Sequence, residues 1–547
     1  KYLLTLHKTC IMKLVINLLF IYGVWASSRL VPLVKTKKGL IRGVQATDGD
    51  YAMFMGIPYG KVNYSNPFGT SLSYPDFEDT FLANDDTSIC VQNQQRTKNV
   101  IGSLDCLRLN IYVPNSANTR NKLPVLLWIH GGKFQHTSGG RRKYGPKYLV
   151  KKDVILVTIN YRVGLYGFMC LDTPEVPGNQ GLKDQLRAIR WVKENIEAFG
   201  GDANKITIFG SSAGGVSVDY HLLSKQEKLF DKAITQSGTS LVPLAFIDSH
   251  RDLPIRIAEQ LGVEINDSDK AIQYLSTLDP EIVVAVTIEL SITLRPCIEK
   301  EFEGVESFIT EYPINAQMPK AKDTPILVGY NNLERLFEYA NKREDTYNKN
   351  VFEDNLALAF NTIDQDHVKL VRNFYIGDED VGVDVKYNLA EFYSDFSFIH
   401  PIHRSLPKYL ENGAKVFYYV FKYAGGRNFV KLRENITGPG AVHSDEKGYL
   451  FDMTVLTETP TPEDQAMIDK MTTMWTNFVK HGDPTPETTE LLPVKWIPIS
   501  KDALNYLEID KQQTLKKRPK QTQMAFWDLY YKINKQHLKG YRSTDFN

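Results

Sequence analysis

The sequence predicts an α/β fold with a large, mostly parallel central sheet flanked by helices. Its strongest apolar runs are continuous rather than alternating, which is typical of strands buried on both faces of a parallel sheet. A stretch with helical spacing at 182–199 lies between the second and third of these runs, as in a β-α-β crossover. No Pro- or Gly-rich linker divides the 547 residues. We therefore expect one large domain at 28–547 rather than three or four smaller ones.

The predicted elements follow in order along the chain. Residues 35–42 (KTKKGLIR) contain a glycine turn and predict a short hairpin, hence a small N-terminal antiparallel sheet. The helix at 182–199 ends at Gly200 and Gly201, because glycine commonly terminates helices. Residues 340–400 are mostly polar and helical in pattern, which predicts long helical insertions. The runs predicted as buried strands are 123–129, 154–159, 206–209, 325–328 and 416–421.

Composition and charge limit the class of protein. Apolar residues make up 42% of the chain and charged residues 24%, as in ordinary globular proteins. Lys and Arg number 65, Asp and Glu number 64, and the formal net charge is +1. This balance excludes a strong basic field for nucleic acid and an acidic disordered chain. We therefore expect no nucleic acid among the partners.

The first residues are typical of a secretory signal peptide. Lys13 precedes the short apolar stretch 14–26 (LVINLLFIYGVWA), which ends in small residues. We expect translation to start at Met12, so that residues 1–27 comprise upstream sequence and this leader. The stretch is shorter than the ~20 apolar residues of a membrane span, and an uncleaved anchor is the alternative. The sequence thus predicts a secreted, extracellular protein without a membrane span.

An extracellular location permits disulfides and glycans. Cys90 and Cys106 flank a polar loop and are the two cysteines that we expect to pair. The surroundings of Cys170 favour a buried thiol, and Cys297 stays undecided. No Cys or His spacing resembles a zinc site, so we expect no metal. The glycosylation candidates are the sequons at Asn63, Asn266 and Asn435.

Ser212 is a candidate nucleophile. Residues 210–214 (GSSAG) match G-x-S-x-G, follow the run ITIF directly and open a stretch that can be helical. A strand, a sharp turn and a helix with Ser at the apex make a nucleophile elbow. A Gly/Ser loop that caps an ordinary helix is the alternative.

A nucleophilic Ser needs a base that is held by a carboxylate, in the chain order Ser, acid, His. Glu334 follows the strand-like PILVGY, and His443 follows VFYYVF after a loop. Carboxyl ends of parallel strands share one edge of the sheet, where ligands bind. Each residue alone has an ordinary surface or core role as its alternative. Together, in the required order, they predict a triad with Ser212.

Backbone donors for an oxyanion are predicted at the turn that follows 123–129. His130, Gly131, Gly132 and Lys133 occupy the place of an HGGG-type turn. Glycine lets the backbone approach a substrate closely. Lys133 stands where the third glycine is usual. Its backbone N–H can still donate, but we expect its side chain to crowd the site.

Long sequence strings carry a family resemblance. They are FMGIPY at 54–59, DCLRLNIY at 105–112, HGGKF at 130–134, NYRVGLYGF at 160–168, GNQGLKDQ at 178–185, WVKENIEAFGGDANKITI at 191–208, QSG at 236–238 and WTNFVKHGD at 475–483. The chain resembles the type-B carboxylesterases of the cholinesterase-like α/β-hydrolase superfamily, nearest to insect esterases of the moth antennal group. The resemblance implies an α/β-hydrolase fold and a serine carboxylesterase that acts on small-molecule esters without a cofactor or metal.

The resemblance also implies roles for individual residues. Ser212 is the nucleophile, Glu334 the acid and His443 the base. The implied oxyanion donors are the backbone N–H groups of Gly132, Lys133 and Ala213. The resemblance supports the Cys90–Cys106 disulfide as well.

Three residues depart from the family pattern: Lys133 in the oxyanion turn, Arg335 after the acid, and Ser211 before the nucleophile. Loss of one oxyanion donor costs ~10²–10³ in rate. Lys133 therefore motivates an alternative function, a low-turnover esterase-like scavenger or binding protein.

Two classes of esterase are disfavoured by the sequence. Acetylcholinesterase is disfavoured because the 90–106 loop contains no Trp, and juvenile hormone esterase is disfavoured because GSSAG replaces GQSAG. Odorant, pheromone and xenobiotic esters stay open as substrates, as does the oligomeric state.

Overall fold

The computed structural model describes residues 31–94, 97, 99–243 and 245–541. The predicted leader at 1–27, with its start at Met12, lies outside the described residues. The strands are β1 (Leu33–Thr36), β2 (Gly39–Arg42), β3 (Val44–Gln45), β4 (Tyr51–Pro58), β5 (Gly60–Lys61), β6 (Leu72–Ser73), β7 (Phe81–Leu82), β8 (Gln92–Asn93), β9 (Val100–Ile101), β10 (Arg108–Pro114), β11 (Leu123–Ile129), β12 (Ile155–Ile159), β13 (Gly201–Ser211), β14 (Lys232–Gln236), β15 (Ile326–Asn331), β16 (Val416–Phe421), β17 (Asn505–Ile509) and β18 (Gln513–Lys517).

The α-helices surround these strands and fill the long insertions between them. They are α1 (Lys147–Val150), α2 (Gly164–Phe168), α3 (Gln180–Asn195), α4 (Ala213–Leu223), α5 (Leu253–Gln260), α6 (Ser268–Ser276), α7 (Pro280–Glu289), α8 (Val351–Leu356), α9 (Gln365–Ile376), α10 (Lys386–Ser394), α11 (His400–Glu411), α12 (Phe429–Arg433), α13 (Pro462–His481) and α14 (Gln521–Ile533). The predicted helix at 182–199 is α3 followed by a 3₁₀ turn, Ile196–Phe199. It ends at Gly200, whose left-handed φ of 78° suits glycine.

Eleven strands form one mixed sheet in the order β18-β17-β16-β15-β14-β13-β11-β12-β10-β4-β3. The neighbours from β17 to β12 all run parallel. Antiparallel strands complete both ends, β18 at one and β10, β4 and β3 at the other. The prediction of a large, mostly parallel sheet flanked by helices is confirmed.

Burial on both faces explains why β11 reads as one continuous apolar run. Val125, Leu127 and Ile129 belong to one hydrophobic core, and Leu126 and Trp128 belong to a second. Successive side chains of a strand point to opposite faces, so the two cores lie on the two sides of the sheet. All five side chains have no exposed surface. The sheet is therefore a rigid support for the loops at its carboxyl edge.

The small N-terminal sheet differs from its prediction. The hairpin of β1 and β2 is antiparallel as expected. However, β7 joins β2 in parallel, with Ile41 opposite Phe81, so the three-stranded sheet is mixed rather than antiparallel. Two residues are too few to give β7 a periodic signal, and the prediction missed it for that reason.

Two disulfides link described cysteines. Cys90 and Cys106 are bonded as predicted, with Cα atoms 4.8 Å apart. Cys170 and Cys297 are also bonded, with Cα atoms 6.5 Å apart. The prediction of a buried thiol at Cys170 was therefore wrong. Burial was the correct part, since both cysteines are at most 1% exposed.

The surface carries the predicted sequons. Asn266 and Asn435 are exposed, and Asn63 is half-buried. Within the described ranges, no helix combines the length and the apolar character that a bilayer crossing requires.

Candidate active site

Ser212 lies at the sharp turn between β13 and α4. Its backbone has φ 60° and ψ −127°, a strained combination for a residue with a side chain. A Cβ atom added at Gly210 would lie 2.3 Å from the Gly214 carbonyl oxygen, and one at Gly214 would lie 2.1 Å from the Ile129 carbonyl oxygen. Both glycines of the motif are thus required by close backbone packing. The strand, turn and helix of a nucleophile elbow are present.

Glu334 and His443 are joined by a short hydrogen bond. Glu334 follows β15, and His443 lies in the loop that follows β16 and α12. Nδ1 of His443 is 2.6 Å from Oε2 of Glu334, and the His443 backbone N–H donates to the Glu334 carbonyl at 3.1 Å. The Glu334 carboxylate is fully buried. Its Oε1 accepts from the Ser237 hydroxyl at 2.6 Å and from the Asn331 N–H at 2.8 Å.

The elbow and the histidine loop touch each other beside Ser212. The hydroxyls of Ser211 and Ser444, the chain neighbours of Ser212 and His443, lie 3.3 Å apart. Ser212 is half-buried, and its side chain makes no capping hydrogen bond to α4. The side chain of His443 is 16% exposed. The structure therefore joins Glu334 to His443 and brings the chain neighbours of Ser212 and His443 into contact.

The surroundings of His443 favour the neutral imidazole. Burial lowers the pKa of His443, the Glu334 carboxylate opposes this shift, and the Arg335 guanidinium adds to it. The Phe398 ring stacks on the imidazole with centroids 4.6 Å apart. Arg335 lies over the same Phe398 ring, 4.8 Å from its centroid. A neutral imidazole accepts a proton, so the arrangement provides a base near neutral pH.

The turn that contains Gly132 and Lys133 packs against the elbow of Ser212. A Cβ atom added at Gly131 would lie 3.1 Å from the Ser212 Cβ, so the turn packs directly against the elbow. Gly132 has φ 123° and Lys133 has φ 56°, and these positive values shape the turn. Among the described residues, the N–H groups of Gly132, Lys133 and Ala213 donate no hydrogen bond to a backbone carbonyl. These three N–H groups are available to an oxyanion.

The Lys133 side chain is exposed. Its carbonyl oxygen accepts from Nη1 of Arg295 at 2.8 Å, which anchors the turn from outside. A left-handed conformation costs a residue with a side chain ~1 kcal/mol relative to glycine. Lys133 therefore strains the turn without withdrawing its backbone N–H.

Sequence reasoning missed a second buried carboxylate, Glu446, and its hydrogen bonds near the candidate acid Glu334. Gln236 donates to Glu446 at 3.1 Å, and Asn331 donates to the other oxygen of Glu446 at 2.5 Å. Glu446 is fully buried, and burial, followed by the charge of Glu334, raises its pKa. Gln236 and Ser237 belong to the string QSG, so the resemblance held a signal for two of these residues.

A metal cluster is not part of this arrangement. In the ranges that the structure describes, no group of three or more His, Cys, Asp or Glu side chains is placed to hold a metal ion. The candidate residues instead provide a hydroxyl, an imidazole, a carboxylate and unpaired backbone N–H groups. Such a set suits attack on a carbonyl carbon.

Known proteins are similar to this chain in sequence and in fold. The model of the carboxylesterase family matches residues 31–527. Esterase FE4 of Myzus persicae is 30% identical over 455 residues, which cover 77% of this chain and 78% of that protein. A medium-chain fatty acyl-CoA hydrolase precursor of Anas platyrhynchos is 31% identical over 533 residues, 91% of this chain and 92% of that protein. The crystal structure of juvenile hormone esterase from Manduca sexta matches with a TM-score of 0.79 at 26% identity, covering 92% of this chain and 100% of that chain.

The mixed eleven-stranded sheet and the strand–turn–helix elbow define an α/β hydrolase. The chain belongs to the carboxylesterase family, whose model spans nearly all of its described residues. It is a carboxylic ester hydrolase, in agreement with the esterases and lipases among its relatives. The resemblance that the sequence showed is confirmed.

Proposed function

We propose that the chain is a secreted serine carboxylesterase that cleaves small-molecule esters through an acyl-enzyme on Ser212. One observation carries this proposal: the buried Glu334 carboxylate holds His443 at 2.6 Å beside a strained serine elbow. Structural loops rarely combine a buried acid, a histidine and a serine at an elbow, whereas acyl transfer needs all three.

In the first half of the reaction, His443 takes the Ser212 proton as the Ser212 oxygen attacks the ester carbonyl. Glu334 keeps the proton of His443 on Nδ1, so that Nε2 is the accepting atom, and stabilises the imidazolium. The backbone N–H groups of Gly132, Lys133 and Ala213 stabilise the negative oxygen of the tetrahedral intermediate. The alcohol then leaves with the proton that His443 holds.

In the second half, water attacks the acyl-enzyme. His443 takes a proton from the water, and a second tetrahedral intermediate forms at the same backbone donors. This intermediate breaks down to the free acid as His443 returns the proton to Ser212. The cycle balances with ester and water as the only reactants, and requires no cofactor.

Location and substrate class complete the proposal. The predicted leader and the two disulfides support secretion, because disulfides persist in oxidising compartments. The exposure of Asn266 and Asn435 is compatible with glycans there. Odorant, pheromone or xenobiotic esters are the proposed substrates, since the relatives include an insect esterase, FE4.

The conformation of Lys133 favours a second candidate function. Its backbone N–H stays free among the described residues, but its φ of 56° strains the oxyanion turn, and misalignment of that N–H with the oxyanion would slow turnover. A protein of this kind accepts one acyl group on Ser212 and releases it slowly. It would act as a scavenger of reactive esters rather than as an efficient enzyme.

A pre-steady-state time course with 4-nitrophenyl acetate tests both candidates. We expect steady turnover in the wild type and its loss in Ser212→Ala. The matched control is Ser211→Ala, which removes the neighbouring hydroxyl of the same motif and should keep turnover. A burst of one equivalent followed by little turnover would identify the scavenger. Unchanged turnover in Ser212→Ala would refute the assignment of the nucleophile.

A further inference from the structure

Lys133 belongs to the candidate oxyanion turn, and Arg295 binds the backbone of that turn. Arg295 donates through Nη1 to the Lys133 carbonyl at 2.8 Å. His136 donates its backbone N–H to the Gly132 carbonyl at 3.2 Å, so its ring lies against the same turn. Burial, and then the charges of Lys133, Lys143, Arg295 and Arg433, lower the pKa of His136 to about 4. The first three of these charges therefore act on one side chain of the turn, and we call Lys133, Lys143 and Arg295 the cationic cluster.

No carboxylate in the described ranges forms an ion pair with a residue of the cationic cluster. Two neighbouring charges act in opposite directions on the pKa of Lys133. The Glu338 carboxylate raises this pKa by less than the Arg335 guanidinium lowers it. Burial and neighbouring arginines lower the pKa of Lys143, and burial alone lowers that of Arg295 to about 10. Arg141, in contrast, is paired with an aspartate at 2.6 Å. Within the described residues, the cluster thus holds charge without an ion-pair partner.

Arg295 keeps donors for a ligand. Its Nη1 bonds the carbonyls of Lys133 and Leu294 at 2.8 and 2.7 Å. In the described part of the chain, its Nε and Nη2 atoms make no hydrogen bond, and the side chain is partly exposed. A guanidinium with two free donors binds a carboxylate or a similar anion through two parallel hydrogen bonds.

The backbone holds Arg295 in position. Cys297, two residues further along, is bonded to Cys170. Asn179 both donates to the Cys297 carbonyl and accepts from its N–H, each at 2.9 Å. A fixed cation loses little conformational freedom when it binds an anion, so its hydrogen bonds contribute more fully to affinity.

A cavity lies beside residues that neighbour Lys133 and Arg295 in the chain. This cavity of about 250 Å³ is lined by Gln135, which follows the oxyanion turn, and by Leu294, which precedes Arg295. Polar side chains such as Gln92, Asn93 and Thr287 also line it. The cavity is therefore lined by chain neighbours of Lys133 and Arg295, although neither of these two residues lines it.

We infer that the preferred substrates are carboxylic esters that carry a second, negatively charged group, which Arg295 and Lys133 bind while Ser212 attacks the ester carbonyl. This inference rests on the proposed function and narrows its substrate class. The shared chemistry is an anion such as a carboxylate. It belongs either to the acyl part or to the alcohol part of the ester.

Two matched substrate pairs test the inference and distinguish these sources. Mono-4-nitrophenyl adipate and its methyl ester differ by a charge on the acyl part. The substrates 4-acetoxybenzoate and methyl 4-acetoxybenzoate differ by a charge on the alcohol part. We expect the charged member of at least one pair to have a kcat/KM ~10-fold higher than the neutral one at low salt. Added NaCl should reduce that ratio, because salt screens the attraction.

Variants locate the effect. Arg295→Gln and Lys133→Met should each reduce the ratio of kcat/KM for the charged ester to kcat/KM for the neutral ester ~10-fold. Because both esters are measured with the same variant, general damage to the site cancels in this ratio. Lys143→Gln should reduce the ratio by a smaller factor, because no described hydrogen bond links the Lys143 side chain to the turn. This variant replaces Arg295→Gln if Arg295→Gln fails to fold. The matched control, Arg256→Gln on α5, removes a distant exposed arginine and should keep the wild-type ratio.

The outcomes separate this inference from the proposed function. Turnover of the neutral esters with no preference for the charged ones, in both pairs, would overturn the inference and leave the esterase intact. A preference that survives in Arg295→Gln and Lys133→Met would overturn it too. No turnover of any of the four esters would contradict the proposed function and the inference with it.

Discussion

The hydrogen bonds around Glu334 determine what Glu334→Gln should do. Oε1 of Glu334 accepts from the Ser237 hydroxyl and the Asn331 N–H, at 2.6 and 2.8 Å. A glutamine must keep its carbonyl oxygen there, since an NH₂ group cannot accept from these donors. Its NH₂ group then faces Nδ1 of His443 and donates to it. The proton of the ring moves to Nε2, and the imidazole can no longer accept the proton of Ser212.

The expected loss is large. The wrong tautomer in a comparable triad costs ~10⁴ in kcat, which corresponds to about 5 kcal/mol at 1.36 kcal/mol per tenfold change. The shape of the side chain is unchanged, so the protein should stay folded. The Glu334 carboxylate also opposes the lowering of the His443 pKa by burial. Its removal should therefore shift the acid limb of any residual activity to lower pH.

The assay is kcat/KM for 4-nitrophenyl acetate between pH 5 and 10, together with the melting temperature. Ser237→Ala is the matched control, because it keeps the carboxylate and removes one hydrogen bond to it. That change should cost ~1 kcal/mol, or roughly fivefold in rate. A loss of less than ~100-fold in a folded Glu334→Gln protein would show that Glu334 does not set the tautomer of His443.

Two further predictions concern the histidine and the second disulfide. The kcat/KM of the wild type should fall on acidification with a midpoint below pH 6.5, because burial lowers the pKa of His443 and only the neutral ring accepts a proton. A pH–rate profile with its acid midpoint above 7 would contradict this. Replacement of both Cys170 and Cys297 by Ser should reduce the free energy of unfolding by ~2–5 kcal/mol, since the bond spans 127 residues. Denaturant unfolding measures it, and an unchanged midpoint would argue against the bond.

The centre of the sheet could be predicted because burial on two faces leaves a continuous apolar signal. The runs at 123–129 and 416–421 coincide with β11 and β16 residue for residue. The strand β14 (KAITQ) gave no such signal, although all five of its residues are buried between β13 and β15. The strand begins with Lys and ends with Gln, and these two polar residues interrupt the apolar pattern. Gln236 bonds Glu446 across 210 residues.

The candidate site divides in the same way. Glu334 and His443 follow recognisable strands, so the sequence alone could predict that they lie at the same edge of the sheet. The pairing of Cys170 with Cys297 could not be predicted, because it depends on where two loops meet. Sequence spacing carries no information about such a contact, and only the packing of the insertions determines it.

The wide spacing of the site along the chain has a consequence for biosynthesis. Ser211 and Ser444 touch across 233 residues, so the elbow acquires its base only after β15 and β16 have paired beside β14. On the proposed mechanism, a released chain that ends before His443 has Ser212 but no base, and we expect it to be inert toward esters. Hydrolytic activity in an extract would then report complete chains only.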